Sequence, residues 1–417
     1  MTQDKNDLYS PKAEPSSMHF VVIAMITLAS VLSITSIGPA LPLIKDYYQI
    51  RLEDVGILMS IYTVPGIFLT PLYGFLADRF SRKAVIIPTL LIYATFGVAC
   101  AFAPSFGWLV FFRLIQGIGS APLGALNISL LGDIYSGDKL ARNTGLNAMV
   151  LSIGTAVFPL LGGGLAQQDW SYPFLLAIFG YLVIVLYLGF FKNEWKKTST
   201  VKLGEMLSAL FRFDKNDTEY RQSKEFRKIS LFNLLTFFLI LGAMFTYLPQ
   251  YLKNNFSLEP IQVGLFLSIM SFAAAFSSFF FKKLLPKIGH LNFIRIQFAT
   301  FTLVFLAMPY LGFFGIGVFL AVFGLSYGIN TPNMQFWVLK LSGDRKRAIY
   351  TSLHRSVTQL GLSLGPAIIG YFITTLSGSD DQQNGNENII YAYQIGAGIS
   401  AVSLILSLIL LKKNELN

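Results

Sequence analysis

The chain has 417 residues, of which 53% are hydrophobic and only 13% are charged. Soluble domains average roughly 25% charged residues, so the composition excludes an ordinary soluble protein and indicates a chain embedded mostly in lipid. The net charge of +10 does not indicate a nucleic-acid partner, because no basic and aromatic platform for stacked bases is present. The one cysteine and three histidines lack metal-ligand spacing, so no metal and no other cofactor is expected.

Residues 1–18 are polar and are predicted to form a short tail, without the basic-then-apolar layout of a signal peptide. Twelve apolar runs follow, each about as long as the ~20 residues that cross a bilayer as a helix. They lie at approximately 19–44, 53–75, 84–103, 106–132, 143–167, 172–191, 229–252, 262–281, 292–311, 315–340, 349–376 and 389–411. Barrel strands alternate apolar and polar residues, so these continuous runs predict an all-α integral membrane protein with twelve transmembrane helices.

One long hydrophilic interruption, 192–228, carries ten basic and six acidic residues. It divides the chain into a six-helix bundle at 19–191 and a second six-helix bundle at 229–411, which is followed by a tail at 412–417. We interpret the interruption as a solvated cytoplasmic linker, with a regulatory module as the alternative.

Lysine and arginine concentrate on alternate connections between the predicted spans. With the N-terminus inside, the cytoplasmic segments outside the linker contain Arg79, Arg82, Lys83, Lys139, Arg142, Lys282, Lys283, Lys287, Arg345, Lys346, Arg347, Lys412 and Lys413. The loops on the opposite side contain Lys45, Arg51 and Lys253. By the positive-inside rule we expect a multi-pass protein of the plasma (inner) membrane with both termini in the cytoplasm.

The two halves are related in sequence. Residues 136–142 (SGDKLAR) precede the fifth span, and residues 342–347 (SGDRKR) precede the eleventh, 206 positions later. Inside these spans three residues recur at an offset of 207 positions: Gly154, Pro159 and Gly163 as Gly361, Pro366 and Gly370. Alternating-access transporters are built from internal repeats of this kind, so two pseudo-symmetric bundles are predicted.

Three motifs in the N-terminal half resemble those of the major facilitator superfamily, specifically its twelve-span drug:proton antiporter branch. Residues 74–83 (GFLADRFSRK) resemble the loop signature G-x-L-x-D-R-x-G-R-K, with Ser81 in place of the family glycine. Residues 113–119 (RLIQGIG) are similar to R-x-x-Q-G-x-G in the fourth span. The glycine-rich antiporter motif of the fifth span is matched at Gly145, Gly154, Pro159, Gly162 and Gly163. Phe158 stands where the family has a glycine before the proline.

The resemblance implies a conformational latch at the first motif, made by Gly74, Asp78, Arg79, Arg82 and Lys83. The aspartate that matches Asp78 would dock at the start of the eleventh span, where a helix N-terminus stabilises a carboxylate. Arg82 would pair with Asp133 and help to hold the outward-facing state. Breaking that pair would weaken the latch by ~1–3 kcal/mol. The alternative is that these residues only set topology and turn geometry.

Arg113 lies inside the fourth span, where a charged group costs ~2.5–3.5 kcal/mol, so it should face a cavity or a partner. The resemblance links the matching arginine to proton transfer, and the alternative is a structural arginine bonded to backbone carbonyls. Gln116 lies one turn further on the same face. In the fifth span the resemblance implies close helix packing and a bend. In the family these features are thought to prevent proton leak and to favour export. Phe158 weakens this part of the match.

The 22 acidic residues lie in tails, loops or span ends, and none lies near the middle of a span. The charges within spans are Arg113 and Arg355, and His354 lies beside the latter. A cavity with cations and no anions disfavours cationic substrates, so we expect neutral, zwitterionic or anionic ones. His354 could carry protons in place of the missing acid, or it could be an interfacial polar residue. The candidates for proton coupling are Arg113, Asp78 and His354.

Spans one, four, seven and ten line the pathway in this superfamily. Candidate substrate-cavity residues in these spans are Ser33, Ser36, Gln116, Asn127, Tyr247, Gln250, Tyr327, Asn330, Asn333 and Gln335, and Arg355 is added from span eleven. Polar residues in apolar spans more often form hydrogen bonds between helices, which is the alternative for each of them.

The predicted function is secondary active transport, in which a monomer exports small molecules in exchange for protons. No G-x4-G-K-[ST] segment occurs, so ATP drive has no support. Uptake or exchange of an organic anion or metabolite, and export of a siderophore-like product, are alternatives. An intramembrane enzyme or sensor is a remote alternative, because no arrangement of acids, histidines or serines at bilayer depth suggests catalysis.

Overall fold

The computed structural model describes residues 17–191, 218–377 and 385–411. Within this part, twelve helices are long and apolar enough to cross a membrane, which confirms the predicted fold class. Spans 1 to 6 are Ser17–Tyr48, Leu52–Tyr73, Arg82–Cys100, Phe106–Ile134, Gly137–Ala166 and Tyr172–Phe190. Spans 7 to 12 are Lys224–Phe256, Pro260–Phe279, His290–Tyr310, Phe313–Leu341, Tyr350–Leu376 and Ile389–Leu410. Most of the predicted tails and linker lies outside the described residues.

Span 7 begins earlier than the predicted boundary at 229. Its helix starts at Thr218 and the membrane-spanning part at Lys224. An ion pair of 2.7 Å between Lys228 Nζ and Glu225 Oε1, one helical turn apart, supports this first part of the span. Hydropathy marks only the part of a helix that lies in hydrocarbon, so the sequence places these polar first turns in the linker.

Spans 1 and 7 occupy the same place in the two halves, and both are interrupted. Span 1 consists of helices Ser17–Thr35, Gly38–Ala40 and Leu41–Tyr48, and span 7 of Thr218–Leu239, a π-helix at Ile240–Tyr247 and Leu248–Phe256. Each ends in a left-handed residue that is not glycine, Gln49 with φ 51° and Ser257 with φ 52°. The shared helix end agrees with the predicted repeat.

The other spans are built from the remaining helices, and one of these, Phe313–Ser377, runs without a break through spans 10 and 11. Span 4 consists of Phe106–Ser120 and Leu123–Ile134, and span 6 of Tyr172–Leu175, Leu176–Ile178 and Phe179–Phe190. The remaining helices are Leu52–Arg79, Arg82–Cys100, Gly137–Ala166, Pro260–Phe279, Phe281–Ile288, His290–Ala307, Met308–Tyr310, Phe313–Ser377 and Gly385–Leu410.

The connections define two ends of the molecule. We call the end with residues 80–81, 135–136 and 280–289 the basic end, and the end with residues 49–51, 101–105, 167–171 and 257–259 the opposite end. Buried apolar side chains such as Ile23 and Leu126 fill the basic-end half of the N-terminal bundle. Other buried apolar side chains of the N-terminal bundle, including Ile44 and Leu58, lie near the opposite end. They are continuous with the core of the C-terminal bundle. Among the described residues, the bundles therefore share an apolar core only towards the opposite end.

Candidate functional site

The two bundles contact each other through spans 2 and 11 and through spans 5 and 8. Between spans 2 and 11, the hydroxyl oxygens of Thr63 and Ser363 lie 2.9 Å apart. At the opposite end, Lys253 of span 7 forms an ion pair with Asp46 of span 1. The Thr63–Ser363 contact lies midway along the two spans. The ion pair and the shared apolar core join the bundles near the opposite end.

Spans 5 and 8 approach each other so closely that only glycine fits at the contact. A Cβ atom on Gly163 would lie 2.4 Å from the carbonyl oxygen of Pro260. A Cβ atom on Gly264 would lie 2.3 Å from the carbonyl oxygen of Pro159. Real Cβ atoms essentially never lie within 3.0 Å of such an atom. The close packing implied for the fifth span is thus present at its opposite-end half.

The glycines of the fifth-span motif differ in what they contact. A Cβ atom on Gly162 would lie 1.8 Å from the carbonyl oxygen of Ser36 in span 1. At Gly145, nearer the basic end, a Cβ atom would meet nothing within 4 Å, so the packing predicted there is not present in this structure. The ring of Phe158 comes within 3.1 Å of a Cβ position on Gly154, one turn earlier in the same helix. Since the ring packs against its own helix, it does not separate spans 5 and 8.

Tyr247 ends the π-helix of span 7 and is fully buried between the bundles. Its hydroxyl donates a hydrogen bond of 2.7 Å to the carbonyl oxygen of Pro366 in span 11. Cβ atoms on Gly56 of span 2 and on Gly370 of span 11 would each lie 2.4 Å from the same hydroxyl. π-helical turns occur often at functional sites, and this one places a polar group of span 7 in the contact between spans 2 and 11.

The predicted pair of the latch is present at the basic end. Arg82 Nε lies 2.8 Å from Asp133 Oδ2, and both side chains are less than one-tenth exposed. Ser81, which replaces the family glycine, accepts a hydrogen bond of 3.1 Å from the Ala84 N–H and caps the helix of span 3. Arg79 is exposed and lies 6.0 Å from the Phe80 ring, and Lys83 is half-buried. The surroundings of Gly74 and the side chain of Asp78, the two further latch residues, lie outside the described part.

Arg113 is completely buried inside the N-terminal bundle. Its Nη1 donates to Gln116 Oε1 at 2.9 Å and to the carbonyl oxygen of Ser33 at 3.3 Å. The guanidinium carbon lies 4.1 Å from the centre of the Tyr62 ring, a distance typical of a cation–π contact. Nε and Nη2 have no hydrogen-bond partner in the part of the chain that the structure describes. One nitrogen therefore bonds as a structural arginine would, while the two others remain able to donate.

Ser33 links this arginine to span 3. Its hydroxyl lies 2.8 Å from the Tyr93 hydroxyl and accepts a hydrogen bond of 3.0 Å from Gln116 Nε2. Tyr62 and Tyr93 were not predicted as part of the site. Both lie far from Arg113 in sequence and in runs where an aromatic residue is indistinguishable from core packing, so no sequence signal could have identified them.

Arg355 extends from span 11 towards the N-terminal bundle. A Cβ atom on Gly124 of span 4 would lie 3.0 Å from its Nη1. The side chain is half-buried and makes no ion pair with any acidic residue that the structure describes. His354 beside it is 7% exposed, and its Nδ1 has no hydrogen-bond partner among the described residues. Among the described residues, acidic side chains lie in the first or last turn of a span or outside the spans.

Several predicted cavity residues bond to neighbours in their own bundle. Asn127 Nδ2 donates to the Thr27 hydroxyl at 2.7 Å, and that hydroxyl lies 2.6 Å from Asn147 Oδ1, which joins spans 1, 4 and 5. Gln250 Nε2 donates to Asn254 Oδ1 one turn on, at 2.7 Å. The contact of Asn127 is a hydrogen bond between helices, the alternative predicted for each candidate, whereas that of Gln250 lies within one helix.

The C-terminal bundle contains a buried chain of hydrogen bonds across spans 9, 10 and 7. His290 Nδ1 lies 2.6 Å from Asn333 Oδ1, which can only accept, so the imidazole donates. Asn333 Nδ2 donates to Asn330 Oδ1 at 2.9 Å, and Asn330 Nδ2 donates to Gln297 Oε1. Gln297 Nε2 donates to the Thr236 hydroxyl at 2.8 Å. Gln297 was missed because span 9 does not line the pathway in the family.

Twelve spans in two related bundles, joined near one end and with arginines buried between helices, define a membrane transporter of the alternating-access class. The chain belongs to the Major Facilitator Superfamily, whose family model matches residues 23–366. It is therefore a transporter and not an enzyme.

Curated relatives of this chain are bacterial transport and resistance proteins. It is 25% identical to the bacillibactin exporter of Bacillus subtilis (strain 168), over 95% of this chain and 98% of that protein. It is 24% identical to the tetracycline resistance protein, class H, of Pasteurella multocida, over 84% of this chain and 88% of that protein. It is 22% identical to the quinolone resistance protein NorA of Staphylococcus aureus (strain MSSA476), over 81% of this chain and 86% of that protein. The fold resembles that of the nucleoside transporter NupG, with a TM-score of 0.74 at 17% identity over 96% of this chain and all of that one.

Proposed function

We propose that this transporter exports small neutral, zwitterionic or anionic organic compounds in exchange for protons. The names of the curated relatives, an exporter and two resistance proteins, support export over uptake. The concentration of lysine and arginine at the basic end supports a plasma-membrane protein with that end and both termini in the cytoplasm. The described bundles meet near the opposite end, so in this orientation the structure corresponds to a state sealed towards the outside.

The alternate, outward-facing state would be held at the basic end. The buried Arg82–Asp133 pair fixes the loop between spans 2 and 3 on span 4. In the proposed latch this pair positions Asp78 to dock on span 11, with Gly74, Arg79 and Lys83 completing the loop. Breaking the pair would shift the balance between the two states by ~1–3 kcal/mol.

The observation that carries the substrate class is Arg355. It extends from one bundle towards the other, without an acidic partner among the described residues. At an effective dielectric constant of about 20, a cation held ~6 Å from this guanidinium would be repelled by about 3 kcal/mol. An anionic group at the same place would be attracted by a similar amount, so Arg355 favours anionic over cationic substrates.

Proton coupling in this proposal uses the groups that can carry or respond to a proton within or beside the spans. The candidates are Asp78, His354 and Arg113. Within the described residues, the buried Nδ1 of His354 and the Nε and Nη2 of Arg113 have no hydrogen-bond partner. A monomer suffices, because each candidate and the remaining cavity residues belong to one chain. Those cavity residues are Ser36, Tyr327 and Gln335, whereas Tyr247 lies in the contact between the bundles.

A second candidate function is export of a siderophore-like product. The likeness to a bacillibactin exporter, which extends over nearly all of both chains, favours it. It is compatible with Arg355, because an acidic product would be attracted to that guanidinium.

Everted membrane vesicles from a strain that lacks its own exporters test the proposal. The vesicles are energised and offered an anionic and a permanently cationic dye of similar size. Accumulation of the anionic dye that an uncoupler abolishes is the expected result. Transport of the cationic dye at the same rate would refute the substrate class, and accumulation that persists with the uncoupler would refute proton coupling.

A further inference from the structure

The connection between spans 8 and 9 forms a short helix at the basic end, Phe281–Ile288, which we call the 281–288 helix. Its partly buried residues are Phe281, Leu284, Leu285 and Ile288. Its exposed basic residues are Lys282, Lys283 and Lys287. The spacing places the apolar residues on one helical face and the lysines on the other. This is the pattern of a helix that lies along a membrane surface.

Exposed phenylalanines at the end of span 8 indicate the depth of this helix. Phe276 is 64% exposed and Phe279 is 84% exposed. The Phe280 ring lies between them, with its centre 5.0 Å from that of Phe276 and 5.5 Å from that of Phe279. Apolar rings exposed on a membrane protein lie in lipid, so the span is still in hydrocarbon at Phe279. Lys282 follows within one turn, so the lysines lie at the level of the lipid phosphates.

The lysines of this helix are not paired with acidic side chains in the part of the chain that the structure describes. Arg295, seven residues beyond Ile288, adds a further cation near the same end. Its Nη2 donates a hydrogen bond of 3.0 Å to the carbonyl oxygen of Leu411. The corresponding connection of the N-terminal half differs, because there Arg82 is buried against Asp133. No acidic side chain among the described residues neutralises the 281–288 helix, so its charge is available to a partner.

We propose that the 281–288 helix binds the headgroups of anionic phospholipids at the basic end of the transporter. The partly buried apolar face holds the helix against the spans, and the lysines meet the negatively charged phosphate layer. Lysines near an anionic membrane surface attract it strongly, and a cluster of them recognises anionic lipid. This inference does not depend on the transported compound or on proton coupling.

The test uses the full chain in lipid nanodiscs of phosphatidylcholine with increasing amounts of phosphatidylglycerol. Phosphatidylglycerol bound to the released protein is counted by native mass spectrometry. The double variant K283Q/K287Q is expected to need about tenfold more phosphatidylglycerol for half occupancy. The matched control is K139Q/R142Q, which removes two exposed charges at the same end, beside Asp138. It is expected to bind as the unchanged protein does.

A charge-conserving variant keeps the test informative if the glutamine variant does not fold. K283R/K287R is expected to retain the phosphatidylglycerol binding of the unchanged protein. The proposal is overturned if K283Q/K287Q binds phosphatidylglycerol normally. It is also overturned if K139Q/R142Q loses as much as K283Q/K287Q, because net charge alone would then explain the binding.

Discussion

Replacing Gly163 or Gly264 by alanine should open the contact between spans 5 and 8. The new methyl carbon would lie 2.4 Å from the Pro260 oxygen or 2.3 Å from the Pro159 oxygen. Because an ordinary contact needs well over 3 Å, the two spans must move apart by ~1 Å. Overpacking of this kind costs ~1–3 kcal/mol, which corresponds to a shift of about 5- to 150-fold in the balance between the states.

Accessibility of a cysteine measures this shift. Ser60 is 6% exposed in the contact between spans 2 and 11, and the natural Cys100 is buried, so Ser60→Cys provides a reporter with low background. An impermeant maleimide applied from the opposite side should label the reporter faster in G163A and G264A. The matched control is G145A, where the methyl group meets nothing within 4 Å and labelling in this conformation should stay slow. Equal labelling of all three glycine variants would refute the reasoning.

Three further variants test other contacts. Asp133→Asn leaves Arg82 buried without its carboxylate, which should cost ~3–5 kcal/mol and lower the thermal unfolding temperature in detergent. Tyr247→Phe removes the hydrogen bond of 2.7 Å to span 11, which should cost ~1 kcal/mol and speed labelling of the Ser60→Cys reporter about fivefold. Arg355→Gln should raise transport of a cationic dye relative to an anionic one by about tenfold, because the repulsion of about 3 kcal/mol is only partly screened.

Each of these variants has a control or an outcome that contradicts it. Asp46→Asn breaks an ion pair whose carboxylate is half exposed, so it should cost less than ~1 kcal/mol. Equal unfolding temperatures for Asp133→Asn and Asp46→Asn would show that burial of the Arg82 pair has no energetic effect. Unchanged labelling in Tyr247→Phe would exclude its hydroxyl from the seal. An unchanged dye ratio in Arg355→Gln would place the substrate elsewhere.

The twelve spans could be predicted from sequence because a bilayer demands long apolar runs, and those runs are visible without any knowledge of contacts. Arg82 and Asp133 could be paired because the resemblance gives both positions. The start of span 7 could not be predicted, since Lys224 and Glu225 belong to a helix whose first turns lie outside the apolar run.

The contacts of the site depend on which helix faces come together, and residue type does not reveal this. Asn127 was predicted to line the cavity, yet it bonds to Thr27 within its bundle. The motif glycines look alike in sequence, but Gly163 touches span 8 and Gly145 does not, because the spans meet only near one end in this conformation. Which motif glycines touch span 8 therefore depends on the conformation of the transporter, and the motif alone does not reveal it.

Purified transporter in proteoliposomes gives the most direct test of proton-coupled export with a preference against cations. A pH gradient is imposed, and the movement of an anionic and a permanently cationic dye of similar size is measured with and without an uncoupler. The account predicts movement of the anionic dye that the uncoupler abolishes and at least tenfold slower movement of the cationic dye. Equal movement of both dyes, or movement that ignores the gradient, would contradict it.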